Sequence, residues 1–368
     1  MRRGRLFRWL AAGLVVAGAA TVSGGAAGAV NADAMAFAQQ AAGQRVIYSY
    51  PGLTPPQSLL ARIRAGEAAG VIFFGENVSS LSQISGVVAQ LRAAAAQSPS
   101  SQPLLLMTDQ EGGQIRRLPG EPALSHKEIG QSADPATAAT NAGRGAGQNL
   151  AGVDMNVNLA PVLDVFHAPG DLMDQYKRSF SANATTVGQL GANYVRAQQA
   201  VGVAATVKHF PGLGPANAAD NTDTKPVTLN VSLSTLRSVH EAPYQPSIAA
   251  GAKLVMLSWA VYPALDSRPA GLSSVVVQQE LRTRNGFTGV TISDALEAGA
   301  LRDYGTTANR AVLAAQAGVD LILASARDVN QGDQAAQALA NALADGTLDS
   351  GAFGDALARV NALRAGLT

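Results

Sequence analysis

From residue 45 onward the chain alternates between short runs that are apolar throughout and longer stretches whose apolar residues recur every third or fourth position. The short runs are RVIYSY (45–50), GVIFF (70–74), PLLLMTD (103–109), MNVNLAPVLDV (155–165), GVAATVKHF (202–210), KLVMLSW (253–259), GVTISD (289–294) and VDLILAS (319–325). Runs of this length and composition read as strands, and segments such as QISGVVAQLRAAAAQ and TTVGQLGANYVRAQQAVG read as helices. Strands alternating with helices form a parallel sheet, and strands buried on both faces lose the polar alternation of half-exposed ones. Eight such units predict a closed (β/α)8 barrel of the TIM type. No Gly-x-Gly-x-x-Gly turn follows the first run, which argues against a dinucleotide-binding sheet. The Ala-rich C-terminal segment QAAQALANALADGTLDSGAFGDALARVNAL keeps helical spacing and is expected to close the same domain.

The beginning of the chain breaks this pattern. MRRGRLFRWL is basic, LAAGLVVAGAATV is apolar and AAGAVNADA is small, the order of a secretory signal. Residues 1–32 are therefore expected to be a leader, cut near Ala29 or Ala32, and 33–368 a single catalytic domain. The apolar run is shorter than the ~20 residues that span a bilayer, so no stable membrane span is expected after cleavage. The expected location is secreted, in the cell-wall space. The absence of cysteine rules out disulfides and lipid attachment through an N-terminal Cys. A formal charge of +1 provides no basic field for nucleic acid. His126, His167, His209 and His240 lack the paired spacing of a metal motif, and there is no phosphate loop or Gly-x-Ser-x-Gly elbow. Neither metal nor cofactor is expected, and a monomer is.

In a barrel of this kind the chemistry gathers where strands end at the C-terminal face. Those ends carry Asp109, Asp164, Lys208 with His209, Ser258, Asp294 and Ser325. Asp294, after a buried run, suits a nucleophile or counter-charge, or else the N-cap of a helix starting near Ala295. Asp109, in TDQEGGQIRRLPG, can accept from adjacent sugar hydroxyls, or pair with Arg116 or Arg117 in a local turn. Lysine is rare, found only at 127, 177, 208, 225 and 253. A lysine ending an inward-facing strand costs several kcal/mol unless paired or hydrated, so Lys208 beside His209 points to a function. Arg178, in YKRSFS, adds a donor fork or is a solvated surface residue.

Taken together, TDQEGGQIRRL, VNLAPVLDV, RSFS, VKHFPGLG, VMLSWAVYPALDSRPA and GFTGVTISDAL resemble glycoside hydrolase family 3, in its single-domain β-N-acetylhexosaminidase branch. The resemblance implies a barrel that removes β-linked N-acetylglucosamine from non-reducing ends with retention, acting on small cell-wall or chitin-derived saccharides. It makes Asp294 the nucleophile, Asp109 the carboxylate that holds sugar hydroxyls, and Arg178, Lys208 and His209 the sugar-binding cations.

One loop departs from that family. Its members carry Pro-Gly-His-Gly and then Asp-Ser-His after the fifth strand, the last His being the acid/base. Here Leu213 occupies the first His position, and the loop continues ADNTD without histidine. Three explanations stand at this point. Asp223 or Asp220 serves as acid/base, or the enzyme works well only on good leaving groups, or the barrel binds saccharide without turnover. Hydrogen bonding within an Asn- and Asp-rich loop is the alternative role for both aspartates. A β-glucosidase of the same family is a further alternative.

Overall fold

The computed structural model describes residues 24–100 and 102–367, so the basic and apolar stretches of the expected leader lie outside the described residues. A helix, Gly24–Gly43, leads into the first strand. The barrel strands are β1 (Val46–Tyr48), β2 (Gly70–Phe73), β3 (Leu105–Thr108), β4 (Val157–Asn158), β5 (Ala204–Phe210), β6 (Leu254–Leu257), β7 (Val290–Ile292) and β8 (Ile322–Leu323). Each pairs in parallel with its neighbour in sequence order, β8 pairs with β1, and an Ile292–Leu321 bridge joins β7 to the start of β8. All eight apolar runs are thus strands of one closed (β/α)8 barrel. The run at 155–165 is the exception in length: only Val157–Asn158 is regular strand, and the chain beyond cis-Pro161 touches β5 again through a Val162–Lys208 bridge.

Two apolar layers follow from the strand period of two. Alternate residues, among them Leu105 and Met107, Leu254 and Met256, and Val290 and Ile292, meet in the barrel interior. Residues between them face the surrounding helices, which include Leu81–Ala95, Ala184–Gln199 and Val329–Ala344. The C-terminal helix, Ser350–Ala365, does a different job: its Val360 and Leu363 join the interior cluster rather than the outer one. Arg364 of the same helix donates to the carbonyls of Gln102 and Pro103, just before β3, so this helix stops the N-terminal end of the barrel. Arg359 adds an ion pair to the buried Asp320 carboxylate at 2.8 Å.

The same period decides which side chains reach the opposite end. Two residues beyond inward-facing Met107, Ile292 and Leu323 come Asp109, Asp294 and Ser325, and β5 runs Ala204, Thr206, Lys208 on its inner face. Asp109, Lys208, Asp294 and Ser325 all line a cleft at the C-terminal mouth.

Candidate active site

The cleft has a volume of about 500 Å³ and also takes in Arg178, His209 and Asp223. Consecutive strand residues point to opposite faces, so Lys208 and His209 should not both reach it. Both do, at a point where the pairing register of β5 with β6 shifts between Val207 and Phe210, an irregularity of the kind found beside active sites.

Lys208 is buried and doubly paired, its Nζ lying 2.6 Å from Asp109 Oδ1 and 2.8 Å from Glu111 Oε1. Arg178 closes the chain of charges with two donors on Glu111, Nε to Oε2 at 2.9 Å and a terminal nitrogen to Oε1 at 2.8 Å. Burial alone would raise the Glu111 carboxyl, but Arg178 and Lys208 outweigh it and hold it far below the usual range. Burial would likewise lower Lys208, yet Asp109 and Glu111 keep its pKa above the ordinary value. Both remain charged at neutral pH. The two carboxylates and two cations form a compact, nearly neutral clamp in which Lys208 keeps one N–H and Asp109 one oxygen for a ligand. The salt bridge that Asp109 makes is with Lys208 and not with Arg116 or Arg117, and Arg116 donates to the Gly120 carbonyl.

His209 Nδ1 lies 2.7 Å from Asp164 Oδ2. A carboxylate only accepts, so Nδ1 carries the hydrogen and Nε2 is left for the cleft. The other Asp164 oxygen accepts from the backbone N–H of Leu213 at 2.7 Å and of His209 at 3.3 Å. The glycine after Leu213 is required by contact: a Cβ on Gly214 would sit 1.7 Å from the Val165 carbonyl oxygen, on the β4 loop.

Asp294 is not an N-cap, for no helix starts at Ala295. Its own Oδ1 accepts from the Ala295 N–H at 2.7 Å, while Trp259 Nε1 donates to the Ala295 carbonyl at 2.8 Å and fixes the turn. Burial raises the Asp294 carboxyl above the ordinary range; His209 opposes the shift and the Asp223 charge adds to it.

The two loop aspartates are placed differently. Asp220 is not among the cleft-lining residues: Lys225 Nζ stands 3.2 Å from its Oδ1 and Asn217 Nδ2 3.0 Å from its Oδ2. Burial opposes these contacts, but they hold its pKa below the ordinary value. Asp223 lines the cleft. Its N–H donates to Asn221 Oδ1 at 2.9 Å and its carbonyl accepts from Gly299 N–H at 2.8 Å, while Thr222 accepts from Ala300. The β5 loop is thereby stitched to the loop that follows Asp294.

The structure brings Asp109, Arg178, Lys208, His209, Asp223 and Asp294 into one cleft and leaves Asp220 outside its lining. It adds Glu111 and Asp164 as the partners that position them, and Arg117, Glu297 and Arg327 as further lining groups. Glu111 carried a signal in the sequence, two residues beyond Asp109 and next to a glycine pair. Asp164 was visible as a strand end without its partner.

A parallel barrel with carboxylates and cations converging at the C-terminal ends of its strands has the layout of a barrel enzyme. The glycosyl hydrolase family 3 N-terminal domain profile matches residues 47–363, and the chain belongs to that family. A protein named an uncharacterized secreted glycosyl hydrolase, from Arthroderma benhamiae, is 44% identical over 346 residues, covering 93% of this chain and 97% of the relative. Beta-hexosaminidase A of Pseudoalteromonas piscicida is 31% identical over 84% of this chain, which spans only 55% of that protein. Among solved structures, the β-N-acetylhexosaminidase of Beutenbergia cavernae superposes with a TM-score of 0.80 at 32% identity, covering 89% of this chain and 98% of its own. A family 3 β-N-acetylglucosaminidase from a Paenibacillus species gives 0.84 at 32% identity, with 89% of this chain and 62% of its own covered.

Proposed function

We propose that the protein is an exported, retaining β-N-acetylglucosaminidase that removes terminal β-linked N-acetylglucosamine from cell-wall or chitin-derived saccharides. The observation that carries this reading is the meeting of a desolvated carboxylate, Asp294, with the Asp109–Lys208–Glu111–Arg178 clamp in one cleft. Asp109, Lys208, Arg178 and His209 hold the sugar, so that Asp294 approaches the anomeric carbon in line and proximity lowers the barrier by several kcal/mol. Attack forms a glycosyl–Asp294 ester as the glycosidic bond breaks, and Asp223 gives its proton to the leaving oxygen. Water then attacks the same carbon, Asp223 takes its proton, and Asp294 departs as carboxylate. Asp223 is favoured over Asp220 because it lines the cleft while Asp220 is tied to Lys225 and Asn217. The names of the hexosaminidase relatives supply the sugar preference. Export is supported by the leader-like N terminus and the secreted relative; among the described residues no helix is long and apolar enough to cross a membrane.

Hydrolysis of an aryl β-N-acetylglucosaminide by the wild type and Asp294→Ala tests the nucleophile, and equal rates would remove Asp294 from that role. A saccharide-binding protein without turnover is the second reading, suggested by the loop without histidine. Binding of N-acetylglucosamine with no cleavage of even the activated aryl substrate would favour it.

A further inference from the structure

The clamp draws its residues from β5 itself and from the loops after β3 and β4. The opposite half of the mouth, above β7, β8 and β2, presents Glu297, Arg327 and Phe74 to the same cleft, and the proposed hydrolysis uses none of them. They are nonetheless held in place. Glu297 is exposed, but its Oε1 accepts from Ser325 Oγ at 2.8 Å and its Oε2 from Gln331 Nε2 at 3.2 Å. Ser325 and Gln331 are both buried, and Gln331 Oε1 in turn accepts from the Ala326 N–H at 2.9 Å. Each Glu297 oxygen keeps lone pairs for further donors.

The Arg327 guanidinium lies over the Phe74 ring, its Cζ 4.1 Å from the centroid. Arg327 adopts a left-handed backbone, φ 59°, unusual for a side chain of its size. Its N–H donates to Ser49 Oγ at 2.9 Å and its Nε stands 3.3 Å from Glu76. Strained conformations of this sort persist where surrounding contacts over-determine them, and they gather at ligand sites. Phe74 is fixed as well: its N–H donates to Asn77 Oδ1 at 2.8 Å, and buried Asn77 donates to the Tyr50 and Gly52 carbonyls. An arginine–aromatic stack beside an anchored carboxylate suits a pyranose, which offers a C–H face to the stack and adjacent hydroxyl donors to the carboxylate. Arg327 is already paired with Glu76, which does not itself line the cleft, while Glu297 has no ion pair among the described residues, and this disfavours a ring bearing its own carboxylate.

We infer that the Glu297–Arg327–Phe74 half of the mouth is a second saccharide subsite that receives a neutral pyranose as the leaving group. The inference rests on the proposed hydrolysis for the position of the bond between the two subsites. It makes the preferred substrate an oligosaccharide of uncharged rings rather than one whose second ring carries an acidic ether.

Kinetics on three substrates test it: methyl β-N-acetylglucosaminide, N,N′-diacetylchitobiose, and the same disaccharide carrying a carboxyethyl ether on its reducing-end ring. The first two release alcohols of similar leaving ability and differ in the second ring, so their ratio separates ring recognition from help with leaving-group protonation. The chitobiose-to-methyl ratio of kcat/KM is expected to fall by about tenfold or more in Glu297→Gln and in Arg327→Ala, the scale of a lost hydrogen-bonding group in a specificity site. The wild type is expected to favour the neutral disaccharide over the acidic one, and Glu297→Gln to narrow that gap. An unchanged ratio in both variants, or equal cleavage of the two disaccharides by the wild type, overturns the inference. If the wild type cleaves none of the three, the hydrolase reading fails by itself. Calorimetry with a sulfur-linked diacetylchitobiose and a methyl thioglycoside then decides the subsite: tighter binding of the disaccharide, lost in Glu297→Gln, supports it, and equal affinities overturn it.

Discussion

Asp294 in the cleft and Glu111 buried behind it have opposite electrostatic histories, and each sets a pH dependence of its own sign. For Asp294 the native pKa lies above the unfolded one, so the folded state binds its proton more tightly. The cost of burying the ionised group is absent below the ordinary carboxylate pKa and grows as pH rises through the native value. Asp294→Asn is therefore expected to melt at a higher temperature than the wild type at pH 7, with the gap closing on acidification, while glycosidase turnover falls by about a thousandfold or more. Thermal melts at several pH values, with aryl-glycoside assays, check both halves. For Glu111 the native pKa is depressed, so its stabilisation is present above the ordinary carboxylate pKa and fades as pH drops below it. Glu111→Gln leaves Lys208 and Arg178 without their shared partner and is expected to cost about 3–5 kcal/mol at pH 7, and less in acid. Denaturant titrations at pH 7 and pH 3.5 would measure the difference.

Among the elements, the loop after β5 has the most influence on chemistry, because it leaves the clamp side of the mouth and fastens beside Asp294. A Cβ on Gly299 would lie 2.4 Å from the Thr224 backbone, so Gly299→Ala must push that loop away. The expected result is an intact barrel by circular dichroism with a selective loss on poor leaving groups, if Asp223 is the acid. Comparing Asp220→Asn and Asp223→Asn across aryl glycosides of graded leaving ability makes the companion test. Asp223→Asn should lose far more on the poorest, and a uniform loss would argue against an acid role. This loop is also where sequence reading reached its limit. Strands were legible because burial on both faces leaves continuous apolar runs, and the period of two then aims Asp109, Lys208 and Asp294 inward. His209 escapes that rule, since β5 is irregular between Val207 and Phe210. Nor could spacing choose between Asp220 and Asp223, which are separated by their contacts with Lys225 and Gly299. The Arg178–Glu111 and His209–Asp164 pairs join residues 67 and 45 positions apart, distances at which local pattern carries no information.

For the molecule as a whole, the N-terminal helix and the expected leader share a boundary that can be tested. Among the described side chains the helix first becomes buried at Ala38, beyond both expected cleavage points, Ala29 and Ala32. A protein beginning at residue 38 is expected to melt within about 1 °C of one beginning at residue 34, since the residues removed between them are exposed. The other end is less forgiving. Val360 and Leu363 belong to the barrel interior, and Arg364 ties the last helix to the segment before β3. That stopper also bears on how the protein is made. Ribosomes supply β1 first and the stopper last, and the sheet cannot close until β8 reaches β1. Through almost the whole of synthesis the chain lacks its final core residues and its sheet stays open, the condition that the proposed export through a translocation channel requires.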